Sequence, residues 1–466
     1  MSKSINSRFI ILSTFLGITS TALAYEPTLP LGKVGETDLQ QIMGDGVNAV
    51  CGQFVAAQDF VGSVERTDLF DRCGEMVHTA LGLPIESSKT LGISNSELAN
   101  VLQEVAGEEV MAQSNIATDT MSGQNAIIGS RISGLLTRLA QTNYADSDEQ
   151  QYYAKNSQIL GMGASGDDVG LSEDFSLFAN ISGGSGEKDA TDREDGFDLD
   201  AMTFIVGADY RLSNNTVVGA SIGWEEYDAD YEKNQRVSGG DMSVDTTTLS
   251  LYGLYSQENF YLSAILGYGN SDFDTSRSVK YSSNNPNPNL NGANRKISSK
   301  TDSDQYNVSI TMGYQSVSDT RTISPYIKLS YLDVEIDAFA EKDSSGGGLG
   351  LKYQSQDVES FKGILGVQAS WVMNQDYGVL SPYVIAEWHN EFKDDSDTIT
   401  FQYVHDPRNN QISFETDDVD SSYFNFTIGT SLILANSVQL FADISSVVGF
   451  EDFDYNSLNV GIRKAF

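Results

Sequence analysis

Tyr423-Phe424-Asn425-Phe426-Thr427-Ile428-Gly429-Thr430-Ser431-Leu432-Ile433-Leu434 alternates large apolar side chains with polar or small ones. In an extended chain Phe424, Phe426, Ile428, Leu432 and Leu434 share one face and Tyr423, Asn425, Thr427, Gly429 and Ser431 the other, because successive strand residues point to opposite sides. The same period of two runs through Val438, Leu440, Ala442 and Ile444, and through Leu458, Val460, Ile462 and Phe466. A half-buried soluble sheet gives this alternation for any single strand, so the decision rests on the strands around it.

Followed back toward the N-terminus, the period persists to Phe175 and yields about twelve strand candidates. Their connections alternate in length. Short ones fall at Ser213-Asn214-Asn215, Gln257-Glu258-Asn259, Ser318-Asp319-Thr320, Asn374-Gln375-Asp376 and Ala435-Asn436-Ser437. Long polar ones fall near 184–196, 232–242, 276–301, 340–357 and 395–420, with a shorter one at Glu451 to Asn456. An antiparallel outer-membrane barrel has this signature, with short turns in the periplasm and long loops outside. The chain holds 42 Gly, 22 Tyr and 22 Phe but only 8 Pro, which suits aromatic-bearing strands closed by glycine turns. Trp224, Tyr227, Tyr252, Tyr255, Tyr261, Trp371 and Trp388 are candidates for interface girdles or for cross-strand packing. On this register Arg463, Glu225, Glu387 and His389 face the lumen, and a slip of one residue would turn them outward. After the N-terminus no apolar stretch of about 20 residues occurs, so a membrane-spanning form of this chain must be a closed barrel.

The remaining residues read differently. Lys3 and Arg8, an apolar run from Phe9 to Ile18 and then Ala22-Leu23-Ala24 are the parts of a cleaved secretory signal, with the mature chain expected to begin at Tyr25 after Ala24. From Thr37 to Ala140 the period is helical. Leu98, Val101, Leu102 and Val105 recur at helical spacing, with Ser96 and Glu97 at the expected start. Ile127, Ile128, Ile132, Leu135, Leu136 and Leu139 form one face of a second helix, with Arg131 and Arg138 on another. Residues 141–174 read as a linker rich in Asn, Ser, Gln, Gly and Asp. Cys51 and Cys73 are the two cysteines, and in an exported chain they are expected to form a disulfide that contributes roughly 3 kcal/mol by constraining the unfolded state. A formal net charge of -37 argues against nucleic-acid binding by simple attraction and leaves cation bridging to lipopolysaccharide open. Its bland reading is a solvated loop surface.

Gly196-Phe197-Asp198-Leu199-Asp200, then Ile205-Val206-Gly207-Ala208-Asp209-Tyr210-Arg211-Leu212 and Val217-Val218-Gly219-Ala220-Ser221-Ile222-Gly223, resemble the opening of the autotransporter translocator domain. The resemblance continues at Leu251-Tyr252-Gly253-Leu254-Tyr255, Phe260-Tyr261-Leu262, Ser324-Pro325-Tyr326, Ser381-Pro382-Tyr383 and Asn459-Val460-Gly461-Ile462-Arg463. It implies a twelve-stranded barrel threaded by a helix that joins it to an upstream passenger. Ile127 to Ala140 resembles the start of that helix; read without the family, it is an ordinary amphipathic helix of the N-terminal region. The resemblance also implies insertion by the barrel-assembly machinery, which reads a terminal aromatic residue, here Phe466. Lys464 replaces the usual aromatic or apolar residue two places earlier and is expected to snorkel to water.

Catalytic signals are weak. A lipase-like passenger would carry Gly-Asp-Ser-Leu, but Gly44-Asp45-Gly46 has glycine at the nucleophile position and His78 is the only histidine before the barrel. The acidic runs Asp192 to Asp200, Asp394 to Asp397 and Asp417 to Asp420 lack the twelve-residue calcium-loop pattern. Asn-Asn pairs that could direct self-cleavage are absent from 126–160, where Asn143 and Asn156 stand alone, so the passenger is expected to stay attached.

The expected architecture is mainly β: signal 1–24, helical N-terminal module 25–140, linker 141–174 with a lumen helix starting near 126, and a barrel of about twelve antiparallel strands over 175–466. The expected function is an outer-membrane autotransporter that presents a short, non-enzymatic module at the cell surface, with no cofactor or metal. Its expected partners are membrane lipid and lipopolysaccharide, the barrel-assembly machinery and a surface ligand, and not nucleic acid. The rivals are a porin-like channel with the module in the periplasm and an exported hydrolase using Ser63, Ser87 or Ser88.

Overall fold

The computed structural model describes residues 30–51, 57–144 and 174–466, except 192, 232, 234–237, 319, 395, 435–437 and 451. The signal with its cleavage point at Ala24 and Tyr25 lies outside the described residues, as does Asn156. Twelve strands form the barrel: β1 Phe175–Lys188, β2 Phe197–Ser213, β3 Thr216–Tyr231, β4 Gly240–Gln257, β5 Phe260–Ser282, β6 Gly292–Tyr314, β7 Arg321–Ile336, β8 Gln356–Trp371, β9 Gly378–Glu391, β10 Ser422–Leu434, β11 Val438–Val448 and β12 Phe453–Ala465. Each is antiparallel to its neighbour in the chain. Pairing of β12 with β1, from Ser176↔Ala465 to Lys188↔Phe453, closes the ring and removes the free edges.

The faces are inverted relative to a soluble sheet. Phe424, Phe426 and Ile428 are exposed, Ile428 at 68%, while Ser250, Ser271, Gln305 and Ser309 are almost fully buried inside. Apolar side chains facing out and polar ones facing in is the arrangement lipid selects. Exposed aromatics make two rings. Phe175, Tyr210, Tyr255, Phe260, Tyr314, Tyr377 and Phe466 lie toward the short turns, and Phe204, Trp224, Tyr268, Tyr306, Trp388 and Phe392 toward the long loops. On β5 the rings are separated by the interval from Phe260 to Tyr268, about 27 Å along the strand or roughly 21 Å of height at a tilt near 40°, close to a barrel's apolar band. Tyr227, Tyr252 and Tyr261, candidate girdle residues from sequence, are instead buried in the lumen at 3%, 4% and 6% exposure. Alternation sends them inward, where the helix gives them something to pack against.

Among the described residues four α-helices precede the barrel: α1 Asp38–Cys51, α2 Val64–Ala80, α3 Asn95–Glu104 and α4 Ala112–Tyr144. Helix α3 starts at a capping box of Ser94 and Glu97, not at Ser96, because a serine three residues before a glutamate satisfies two orphan N–H groups at once. Cys51 and Cys73 form a disulfide between α1 and α2, with Cα atoms 5.9 Å apart. Helix α4 begins at Ala112, well before the expected 126, and continues through residues 141–144 that composition assigned to the linker. The segment 276–301, read as a loop, is mostly strand: β5 and β6 run past the outer aromatic ring and pair up to Ser282↔Gly292. Among the described residues no helix is long and apolar enough to cross a membrane.

Candidate functional site

The site is the lumen and the mouth above it. Helix α4 packs one face against the barrel wall, while its small polar face, with Ser122, Ser130 and Ser133, borders a cavity inside the lumen. Ile116, Ala117 and Met121 pack with Phe197, Leu199, Val244 and Phe273, and Ile127, Ile128, Ile132, Leu135 and Leu136 pack with Ile205, Val217, Leu254 and Ile265. Arg131, expected on a polar face, is buried at 5% exposure and ion-paired to Asp209, with Nε 3.0 Å from Oδ2. Ser176 Oγ donates to Asp209 Oδ1 at 2.9 Å, and Arg463 Nη2 donates to Ser176 Oγ at 2.8 Å. This network ties the helix to β1, β2 and β12 at the barrel seam. Farther up, Gln124 donates to Thr248 Oγ1, and Asn307 Nδ2 donates to Asn125 Oδ1 at 2.7 Å.

Above the barrel, α1–α3 do not form a separate core. Leu31, Met43, Val47, Leu69, Met76, Leu98 and Leu102 belong to one cluster with Val279 and Ile297 of the β5–β6 projection. The same cluster takes in Leu351, Tyr353, Ile399, Phe401, Tyr403 and Phe414, from the β7–β8 and β9–β10 connections. In those connections Leu351–Tyr353, Thr398–Tyr403 and Ile412–Glu415 make a three-stranded sheet, where sequence suggested polar loops. The helical module is thus a cap whose interior is completed by barrel residues. Gly46 shows the fit: a Cβ there would lie 2.4 Å from the Ile412 side chain. The Gly44-Asp45-Gly46 run therefore serves packing.

Polar contacts fasten the cap. Arg277 of β5 pairs with Glu341 through two hydrogen bonds of 2.7 and 2.8 Å and reaches Glu104 O of α3 at 3.3 Å. Arg72 of α2 pairs with Glu75 and donates to Asn289 O at 2.8 Å and to Gly292 O. Arg295 pairs with Asp68 at 2.9 Å, and Arg408 with Asp59 at 2.9 Å. Burial pushes Glu75 up to about 7 against the pull of Arg72. At the turn between α3 and α4, Glu108 and Glu109 are buried beside Asp195 and Arg277; burial pushes Glu109 up to about 8 and Glu108 well above the carboxylate range. Gly107, at φ +72°, opens this turn beneath the Tyr353 hydroxyl.

Beside α4, a cavity of about 1070 Å³ runs along the β7–β12 wall and reaches the loops at 417–420 and 449–453. Its lining begins at Ser114 on α4, so it lies beside the cap. Glu387 and His389 face it as the register predicts, with His389 Nε2 3.3 Å from Glu387 Oε2 and Tyr326 donating to Glu387 at 2.7 Å. Glu225 and Arg463 are buried in the lumen as well.

The serines weighed as nucleophiles are not brought to His78. Ser63 caps α2 by accepting from Arg66 N at 3.2 Å, and Ser88 donates to Pro84 O at 2.7 Å. His78 Nδ1 accepts from Lys89 N at 2.9 Å. Ser87 N donates to Pro84 O within the same turn as Ser88. Among the described residues no group of three or more His, Cys, Asp or Glu could hold a metal ion. Phe466 N donates to Phe175 O at 2.9 Å, and the exposed Lys464 ammonium lies 5.9 Å from the Phe466 ring.

The family model described as autotransporter beta-domain matches residues 177–445. The chain belongs to the autotransporter family. The translocator domain of the autotransporter NalP from Neisseria meningitidis superposes with a TM-score of 0.50 at 17% identity, over 70% of this chain and 98% of that domain, a likeness of fold. Outer membrane protein A of Rickettsia conorii is 24% identical over 315 residues, 66% of this chain and 15% of that protein. Esterase EstA of Pseudomonas aeruginosa is 23% identical over 224 residues, 47% of this chain and 32% of the esterase. This autotransporter therefore spans less than a third of the length of either of these curated relatives. Its shared core between cap and loops went unread in sequence, although the alternation of Ile399, Phe401 and Tyr403, and of Ile412 and Phe414, was a signal for strands inside a supposed polar loop.

Proposed function

We propose that this autotransporter carries its own N-terminal module to the outer face of the outer membrane and retains it there as a folded cap with an interaction role and no catalysis. The observation that carries the reading is the shared core: the module rests on the long-loop end of the barrel, while α4 runs down the lumen toward the short turns. In outer-membrane barrels the long loops face outward. A cap completed by those loops folds where they are. The hydrolase alternative would need a nucleophile and base together, and Ser63, Ser87, Ser88 and His78 each serve local backbone contacts.

On this reading, assembly proceeds through the barrel-assembly machinery acting on the Phe466 strand, and the outer aromatic ring sits at the lipopolysaccharide boundary. The surface ligand is met by the exposed cap. An epitope inserted after Glu26 tests export: antibody labelling and protease shaving of intact cells support it. Labelling only after permeabilisation would favour a periplasmic module on a pore.

A further inference from the structure

We propose that the cavity beside α4 is a binding site for an elongated organic polycation of the polyamine type. This rests on geometry independent of the cap's export. The cavity, about 1070 Å³, lies just above the usual size range of ligand pockets and is lined by side chains of α4, the strands and their connections. Its lining is unlike that of a water-filled gap in two respects.

The first is charge. Among the described lining residues stand twelve carboxylates and four lysines. Two of the lysines are engaged by those carboxylates: Lys188 lies 3.3 Å from Glu194 and 3.5 Å from Asp417, and Lys393 pairs with Glu359. Carboxylates thus remain in excess, and at the entrance Asp397, Asp417 and Asp418 of the β9–β10 connection meet Asp452 of the β11–β12 connection. A cleft of one sign with low-dielectric walls focuses the field and concentrates counter-ions inside it.

The second is an aromatic ladder along the same wall. His389 stacks on Tyr423 with centroids 4.7 Å apart, Tyr423 meets Phe450 at 5.0 Å, Phe450 meets Phe453 at 5.8 Å, and Phe453 meets Tyr455 at 6.2 Å. All five line the cavity. A ring face attracts an ammonium group within about 6 Å, more strongly when the site is desolvated. Inorganic cations gain less from rings and keep their hydration shells, whereas an alkyl amine offers methylenes to the rings and ammonium groups to the acids. Two lining residues also carry unsatisfied polar atoms: Asn459 and His389 are each at least nine-tenths buried, and Asn459 Oδ1 and His389 Nδ1 have no hydrogen-bond partner among the described residues. Asn459 Oδ1 is an acceptor suited to an ammonium donor.

The probe is spermine, titrated by calorimetry into the purified full-length chain in a zwitterionic detergent at 150 mM NaCl. One saturable site is expected, weakened at least tenfold by Asp417→Asn combined with Asp418→Asn, and separately by Tyr423→Ala. Heat-modifiable migration shows that each variant barrel is folded, and Tyr423→Leu replaces the alanine variant if it is not. Asp272→Asn with Asp302→Asn, a carboxylate pair on the outer face, is expected to leave binding unchanged. Three results would overturn the proposal: absence of saturable binding, loss of binding in the outer-face variant alone, or displacement by magnesium at equal ionic strength as effective as any amine, which would mean diffuse counter-ion attraction.

Discussion

Removing the Arg277 guanidinium should unfasten the cap without unfolding the barrel. Arg277 and Glu341 are 2% and 3% exposed, and their two hydrogen bonds are the most buried link between β5 and the β7–β8 connection. Arg277→Met leaves the Glu341 carboxylate in a dry core, and breaking a buried pair in this way costs about 3–5 kcal/mol. In equilibrium terms the open cap should become about 150- to 5000-fold more populated. Replacing both partners, Arg277→Met with Glu341→Leu, removes the orphaned charge and should return stability to within about 1 kcal/mol of the parent, since apolar substitutes of similar volume are often neutral. The assay is pulse proteolysis in urea on the full-length chain in detergent, with heat-modifiable migration reporting the barrel separately. The reasoning fails if the double variant is as unstable as the single one, or if barrel and cap lose structure together.

Three further outcomes follow from the cap. Replacing Cys51 and Cys73 by alanine should lower cap stability by about 3 kcal/mol on the chain-entropy account, seen as a shift of the urea midpoint with the barrel unmoved. Glu109 holds its proton more tightly folded than unfolded, so its contribution is complete below its ordinary value of 4.5 and is lost as pH rises through about 8. Hydrogen exchange over 95–111, corrected for intrinsic rates, should therefore quicken from pH 7 to 9, and Glu109→Gln should flatten that rise. Gly107→Ala combines a left-handed φ of +72° with a Cβ placed 2.3 Å from the Tyr353 hydroxyl, so a loss of about 2 kcal/mol or more is expected, partly recovered in a Tyr353→Phe background.

Strand count, closure and lumen register were legible because one physical rule, apolar toward lipid and polar toward the lumen, repeats along every strand. Phe424, Phe426 and Ile428 point outward, and Glu387 and His389 inward, as their alternation requires. The rule says nothing about partners from distant segments. Tyr252 and Tyr261 read as girdle residues because periodicity does not reveal a helix in the lumen. Arg131 reads only as lying off the apolar face because its partner, Asp209, is 78 residues away. The capping box at Ser94 was present in the sequence, and attention to Glu97 as the third helical position would have found it. The cap's core was least legible: 13 of its 32 described buried residues come from the β5–β6 projection and the long connections, whose overall polarity hid short alternating runs such as Ile399, Phe401 and Tyr403.

The central claim is that the helical cap stands outside the cell on the barrel that carries it. Val64 at the start of α2 is 75% exposed and suits a Val64→Cys probe. Intact cells are treated with a membrane-impermeant maleimide, with a second sample permeabilised first. The account predicts equal labelling in both samples, on a chain whose barrel remains heat-modifiable. Labelling confined to permeabilised cells would place the cap in the periplasm and contradict it.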